Sequence, residues 1–223
     1  MRITPAEITA LILTFKVAIL SLIVMFPPGL LIGWLLAKRD FPGKSILNTF
    51  VMLPLVLPPV VSGYILLILF SENGPIGGLL NKYFGLEIVF SPVAVVLAVS
   101  VISFPLLVRG IMTGIASVPV ELEKVARTLG ASPVKVFFTI TLPLAYRGIL
   151  GGVILGFSKS LGEFGATMLV AGNIPGKTQT IALSIYSAVQ QGEDATVFRL
   201  VFISTVIAFI AIWLTERFAF RYD

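Results

Sequence analysis

The chain has 223 residues, 57% of them hydrophobic and 12% charged, with a mean hydropathy of +1.03 and a formal net charge of +5. Soluble domains hold about 45–50% apolar and about 25% charged residues, so this composition excludes a water-exposed surface of this size and specifies an integral membrane protein. Cysteine and histidine are absent, which excludes disulfides, thiolate or imidazole metal sites, Cys or Ser-His nucleophiles and a histidine general base.

A bilayer core about 30 Å thick needs about 20 helical residues with few charges. The first such stretch, residues 8–37, is apolar apart from Lys16. Only Arg2 precedes it, Glu7 interrupts the basic region, and the apolar run far exceeds a signal-peptide core, so it reads as a retained span. "FPPG", residues 26–29, is predicted to kink it, because an interior Pro removes a helix hydrogen bond. Lys16 reads as snorkelling or paired within the span. Residues 45–71 and 88–108 carry no charge and make the second and third spans. The fourth, 148–170, is apolar except for Lys159 and Glu163. The fifth, 200–215, is short, and begins earlier if Arg199 snorkels. Residues 178–191 are helix-compatible but too short and polar to span, and are placed at the outer interface. The expectation is a single all-α membrane domain over residues 1–223 with about five transmembrane helices.

The basic residues fall unevenly between the two sets of connections. One set holds Lys38, Arg39, Lys44, Arg109, Lys124, Arg127, Lys135, Arg147, Arg217 and Arg221; the other holds Arg2, Lys82, Lys177 and Arg199. The positive-inside rule puts the first set in the cytoplasm, the N-terminus outside and the C-terminus inside. With no basic run and no aromatic RNA-type motif, the positive charge points to this asymmetry rather than to nucleic acid.

The long inner loop, residues 118–148, reads "VPVELEKVARTLGASPVKVFFTITLPLAYRG". Leu122, Val125, Ala126 and Leu129 make one apolar stripe of a short helix, with Glu121 and Glu123 in its first turn and Gly130 as its stop. Ser132 caps a second helix with Pro133 at its first position, running through Val134, Phe137, Phe138 and Thr141 to a break at Leu142-Pro143. Such a knob suits either an interfacial hairpin on lipid headgroups or a docking element for a soluble partner. Its spacing, Gly130, nine residues, Ile140, one residue, Leu142-Pro143, resembles the "EAA" loop of ABC-importer permeases, E-A-A-x3-G-x9-I-x-L-P. Strict alignment puts Lys124 at the Glu position and Val125 at the first Ala, leaving Ala126, with Glu123 one place early. The resemblance implies a type I importer permease fold, with Glu121, Glu123, Ala126, Arg127, Gly130, Ala131, Ile140, Leu142 and Pro143 in a loop that couples to an ATPase subunit.

Lys159 and Glu163 stand at i, i+4 in an apolar helix, where charge is costly unless paired or facing water. Gly156, Ser158, Ser160, Gly162, Gly165 and Ala166 crowd around them. Two readings stay open: a self-paired lock between helices, or an anion pathway using Lys159, the hydroxyls of Ser158, Ser160 and Thr167, and the small Gly162 and Gly165, with Glu163 preventing tight retention.

"FPGKS" (41–45), "LPLVLPPVVSGY" (53–64), "SFPLLVRG" (103–110), "SLGEFGAT" (160–167) and "NIPGKTQTI" (173–181) are together similar to the molybdate/tungstate branch of the oxyanion permeases. That resemblance implies a homodimer in the cell inner membrane, a pair of ATP-binding cassette subunits below that hold the ATP-Mg, and a periplasmic or surface-tethered binding protein above. It implies no cofactor on this chain and no catalytic residue. A sulfate/thiosulfate permease is the neighbouring alternative. A self-sufficient channel or secondary transporter is a different class, and the absence of a convincing internal repeat counts against it. An intramembrane enzyme would have to work without His or Cys.

"AGNIPGKTQT", residues 171–180, spells a relaxed phosphate-loop pattern with Ala171 at the first glycine position. It follows a membrane span instead of a buried strand, so Gly176, Lys177 and Thr178 read as a coincidence. Lys177 is left to meet the anion or its binding protein outside.

Overall fold

A computed structural model describes residues 3–219, all helices and short connections; Arg2 and Arg221, used in the charge count, lie outside the described residues. Helix α1, Pro5–Lys38, starts with a capping box: the Thr4 hydroxyl accepts from the Glu7 N–H and the Glu7 carboxylate accepts from the Thr4 N–H. It continues as one helix through Pro27 and Pro28. Next come α2, Lys44–Val56, α3, Pro59–Phe70, and the short α4, Gly77–Phe84. The expected single second span is thus a bent pair, with α2 and α3 turned 111° at Leu57-Pro58. Both residues are extended, as the restriction on a residue before proline requires, and the paired Pro58-Pro59 supplies no amide hydrogens to bridge the break.

Helix α5, Pro92–Ala116, is the central post; Val95, Val99, Ile102, Leu107, Ile111 and Ile115 are all buried along it. Helix α6, Val120–Thr128, and α7, Pro133–Val136, follow at one end of the bundle, hereafter the knob end. A π-helical turn, Phe137–Thr141, joins α7 directly to α8, Leu142–Leu161. The break expected at Leu142-Pro143 is therefore not there. The wider turn bonds the Leu142 N–H to the Phe137 carbonyl and absorbs the proline within one continuous apolar helix from Pro133 to Leu161.

The fourth span also ends earlier than its composition implies. After Leu161 the chain leaves the helix at Gly162, Glu163 and Phe164 and resumes as α9, Gly165–Ala171. Two glycines weaken the helix here, and packing then fixes the break. A Cβ on Gly63 of α3 would lie 2.7 Å from the Ala166 Cα, so α9 rests backbone to backbone on α3. Helix α10, Ile181–Gln191, is too short to cross a bilayer and buries Ile181, Leu183 and Ala188; the Thr14 hydroxyl of α1 accepts its first N–H at 2.8 Å. Helix α11, Asp194–Ala219, begins before Leu200 because Arg199 is paired, not snorkelling: its guanidinium lies 2.8 Å from the Glu7 carboxylate, joining α11 to the start of α1. Among the described residues, four helices are long and apolar enough to cross a membrane, and the bent pair makes five if it counts as one crossing.

Glycines set the closest packing. On α5 and α8, Gly110 faces Gly152 and Gly114 faces Gly148, and an added Cβ would meet the opposing Cα at 2.2 Å from Gly110 and 2.7 Å from Gly114. Backbone cannot yield as a side chain does. Gly110→Val is expected to cost at least the roughly 1–3 kcal/mol of overpacking. In detergent, size-exclusion profiles after heating should show an earlier loss of the folded peak, whereas Gly162→Ala, with open space around it, should keep the native midpoint.

Candidate functional site

The knob contains two helices meeting at Gly130, which takes a positive φ of 84° where a side chain would be strained. The Ser132 hydroxyl accepts from the Lys135 N–H and caps α7 with Pro133 at its first position. The apolar stripe of α6 faces away from the bundle: Leu122, Val125 and Leu129 are 46%, 56% and 82% exposed. Glu121, Arg127, Gly130 and Pro143 are exposed, while Ala126, Ala131, Ile140 and Leu142 are half-buried.

Glu123 points the other way. It is buried, 3.1 Å from the Lys38 ammonium at the end of α1, and it accepts a 2.8 Å hydrogen bond from the Thr141 hydroxyl of the π-turn. Lys38 also donates to the Val118 carbonyl at 2.9 Å, just before α6. One buried carboxylate therefore ties α6 to α1 and to the head of α8. The sequence showed Lys38 only as a loop charge and Thr141 only as a member of the second knob helix, with nothing to join either to Glu123. Trp34 stacks edge-on to Phe137 beneath this junction, and Arg39 lies 5.5 Å above the Trp34 ring.

At the helix break toward the opposite end, Lys159 and Glu163 come together at 3.3 Å, with side chains 33% and 1% exposed. The second Glu163 oxygen accepts the Ala166 N–H at 3.0 Å, capping the first turn of α9. The remaining residues named from sequence diverge. Ser160 is buried and donates to the Gly156 carbonyl at 2.8 Å with the Ser103 hydroxyl 3.0 Å away, a partner that sequence did not suggest. Ser158 bonds back to the Ile154 carbonyl and, with Gly162, borders a largely apolar cavity of about 340 Å³ between α8, α10 and α11. Thr167 is fully buried and its hydroxyl has no hydrogen-bond partner. Gly165 sits half-buried against Pro59, where an added Cβ would lie 3.0 Å from the proline ring. Lys16 is exposed on α1 and has no partner among the described residues.

The loop after α9 is closed on itself. The N–H groups of Lys177, Thr178 and Gln179 all donate to the Ile174 carbonyl, and the buried Thr178 hydroxyl bridges the Gly172 carbonyl and the Ile174 N–H. A phosphate loop needs those N–H groups pointing at its ligand, so Gly176-Lys177-Thr178 does not cradle phosphate. Asn173, Gln179 and Ser187 lock the loop to α10, leaving Lys177 exposed.

Comparison with known proteins places this architecture. Residues 29–223 match the family described as the binding-protein-dependent transport system inner membrane component. The molybdenum transport system permease protein ModB of Haemophilus influenzae is 46% identical over 211 residues, covering 94% of this chain and 92% of that protein. Among solved structures, inward-facing conformations of the MetNI methionine ABC transporter match with a TM-score of 0.74 at 15% identity, covering 97% of this chain and 98% of that one. A bacterial alginate ABC transporter in complex with an alginate pentasaccharide-bound periplasmic protein also gives 0.74, at 17% identity, over 98% and 80%. The two structures show that the fold is that of ABC-importer permeases. On that family match and the permease relative, the chain is a transport subunit and not an enzyme, and it belongs to the binding-protein-dependent transport system inner membrane component family.

Proposed function

We propose that this chain is the permease subunit of an ATP-driven importer for a tetrahedral oxyanion, molybdate or tungstate, acting as a homodimer in the inner membrane. The observation that carries the coupling role is the outward apolar face of α6, with Leu122, Val125 and Leu129 exposed on a knob anchored from behind by buried Glu123. Apolar side chains gathered on a projecting, charged loop mark a protein contact. The partner is an ATPase subunit that binds ATP-Mg. Its closure draws the two knobs together and opens the pathway outward, and hydrolysis resets it. The excess of Lys and Arg at the knob end supports a cytoplasmic knob, an outer N-terminus and an inner C-terminus. Lys159 and Glu163 are proposed to border the translocation pathway, and the α10 loop with Lys177 to face the binding protein.

The choice of oxyanion rests on likeness to the molybdenum permease, since charge alone does not separate molybdate from sulfate. The purified chain should retain its ATPase subunit, and proteoliposomes holding both with the binding protein should take up labelled molybdate only with ATP. Uptake of sulfate in preference would move the substrate, and ATP-independent transport would end the reading. Leu129→Asp combined with Leu122→Asp should abolish ATPase retention while leaving the detergent-soluble permease folded, because both side chains already face water.

A further inference from the structure

Behind α6, on the side away from its exposed apolar stripe, lies a cleft of about 310 Å³ between the end of α1, α6 and the π-turn. This is large enough for a small polyatomic ligand. Its walls carry four cations, Lys38, Arg39, Lys124 and Arg127, and two carboxylates, Asp40 and Glu123. The carboxylates are already engaged. Glu123 is paired with Lys38 at 3.1 Å, and Asp40 with Lys44 at 2.9 Å, which lies outside the cleft. Among the described residues, Arg39, Lys124 and Arg127 have no carboxylate within ion-pair distance. Arg39 is held at the wall by its stacking on Trp34. Three like charges around one concave space repel one another, and an anion with several acceptor oxygens relieves that repulsion while accepting from all three.

We propose that this cleft binds a tetrahedral oxyanion group through Arg39, Lys124 and Arg127. The group is either a free oxyanion or the phosphate of an anionic lipid headgroup. Guanidinium forks suit either source by bidentate contact, and a basic pocket lined by Trp34, one turn from the end of the apolar α1, suits the lipid. Because α6 presents Leu122, Val125 and Leu129 on one face and the exposed Lys124 and Arg127 at the cleft on the other, the cleft stays open when a partner docks on the apolar stripe. That clause alone rests on the proposed coupling role.

The test uses the full chain in neutral detergent, with its ATPase subunit where that co-purifies. One arm titrates sodium molybdate and inorganic phosphate by calorimetry at low salt. The other measures retention of spin-labelled phosphatidylglycerol against phosphatidylcholine in nanodiscs. Binding in the first arm identifies a free oxyanion, and selective retention in the second identifies the headgroup. In the responding arm Arg39→Gln combined with Lys124→Gln should weaken binding at least about tenfold, and added salt should weaken it too. Lys82→Gln, a single charge loss outside the cleft, should change it little. Absence of binding in both arms overturns the site, as does an equal loss in Lys82→Gln. Failure of the ATPase to co-purify speaks against the coupling role instead, and leaves both titrations readable on the permease alone.

Discussion

Glu123→Ala is expected to uncouple transport from ATP hydrolysis while leaving the exposed face of the knob in place. Removing the carboxylate leaves the Lys38 ammonium, in a side chain 10% exposed, with only the Val118 carbonyl, and leaves the Thr141 hydroxyl without its acceptor. Breaking a buried ion pair from one side costs about 3–5 kcal/mol. The lower end applies here, because Lys38 ends α1 and can swing toward water. Glu123→Gln keeps an acceptor for Thr141 and should cost less. Thr141→Val keeps the ion pair and should cost about 1–3 kcal/mol. The functional signature differs from simple instability. Leu122, Val125 and Leu129 still present their face to the ATPase, so hydrolysis continues, but α6 no longer drags α1 and α8 with it. Anion uptake per ATP hydrolysed in proteoliposomes should fall, and the charge swap Lys38→Glu with Glu123→Lys should recover part of it. If Glu123→Ala keeps the native ratio, the buried carboxylate is not the linkage.

Much of this was legible in the sequence, and the failures share a cause. Composition and apolar run lengths gave the membrane class and the number of candidate crossings, because lipid burial depends on little else. Local rules found the caps at Ser132-Pro133 and the stop at Gly130, since caps involve residues only a few positions apart. What local rules missed was set by contacts distant in sequence. The break after Leu161 depends on α9 lying on Gly63, about a hundred positions earlier. Pro143 breaks nothing because a π-turn precedes it, a choice no propensity encodes. Glu123 read as a first-turn acid of the knob helix, and only Lys38 and Thr141, brought to it by the fold, account for its burial. The Lys159–Glu163 pair was legible from its i, i+4 spacing, and the contact forms even though Glu163 stands just past the end of α8, whereas Ser103 beside Ser160 was not legible.

That pair yields the second large prediction, because its two members are unequally held. Glu163 is 1% exposed and carries two obligations, Lys159 and the Ala166 N–H; Lys159 is 33% exposed and carries one. Lys159→Met strands a buried carboxylate on a single N–H and is expected to destabilise the helix break by several kcal/mol. Glu163→Gln preserves an acceptor for Ala166, and the freed ammonium can turn to the open side, so the protein should stay close to native stability. Neither single variant separates a lock from a pathway, since loss of folding and loss of an anion contact both lower uptake. Lys159→Met combined with Glu163→Gln does, because removing both charges restores neutrality and keeps the cap on α9. We expect the double variant to melt near the native temperature, bind its ATPase and hydrolyse ATP, yet take up no molybdate. Recovery of uptake alongside stability would make the pair a structural lock and remove Lys159 from the path of the anion.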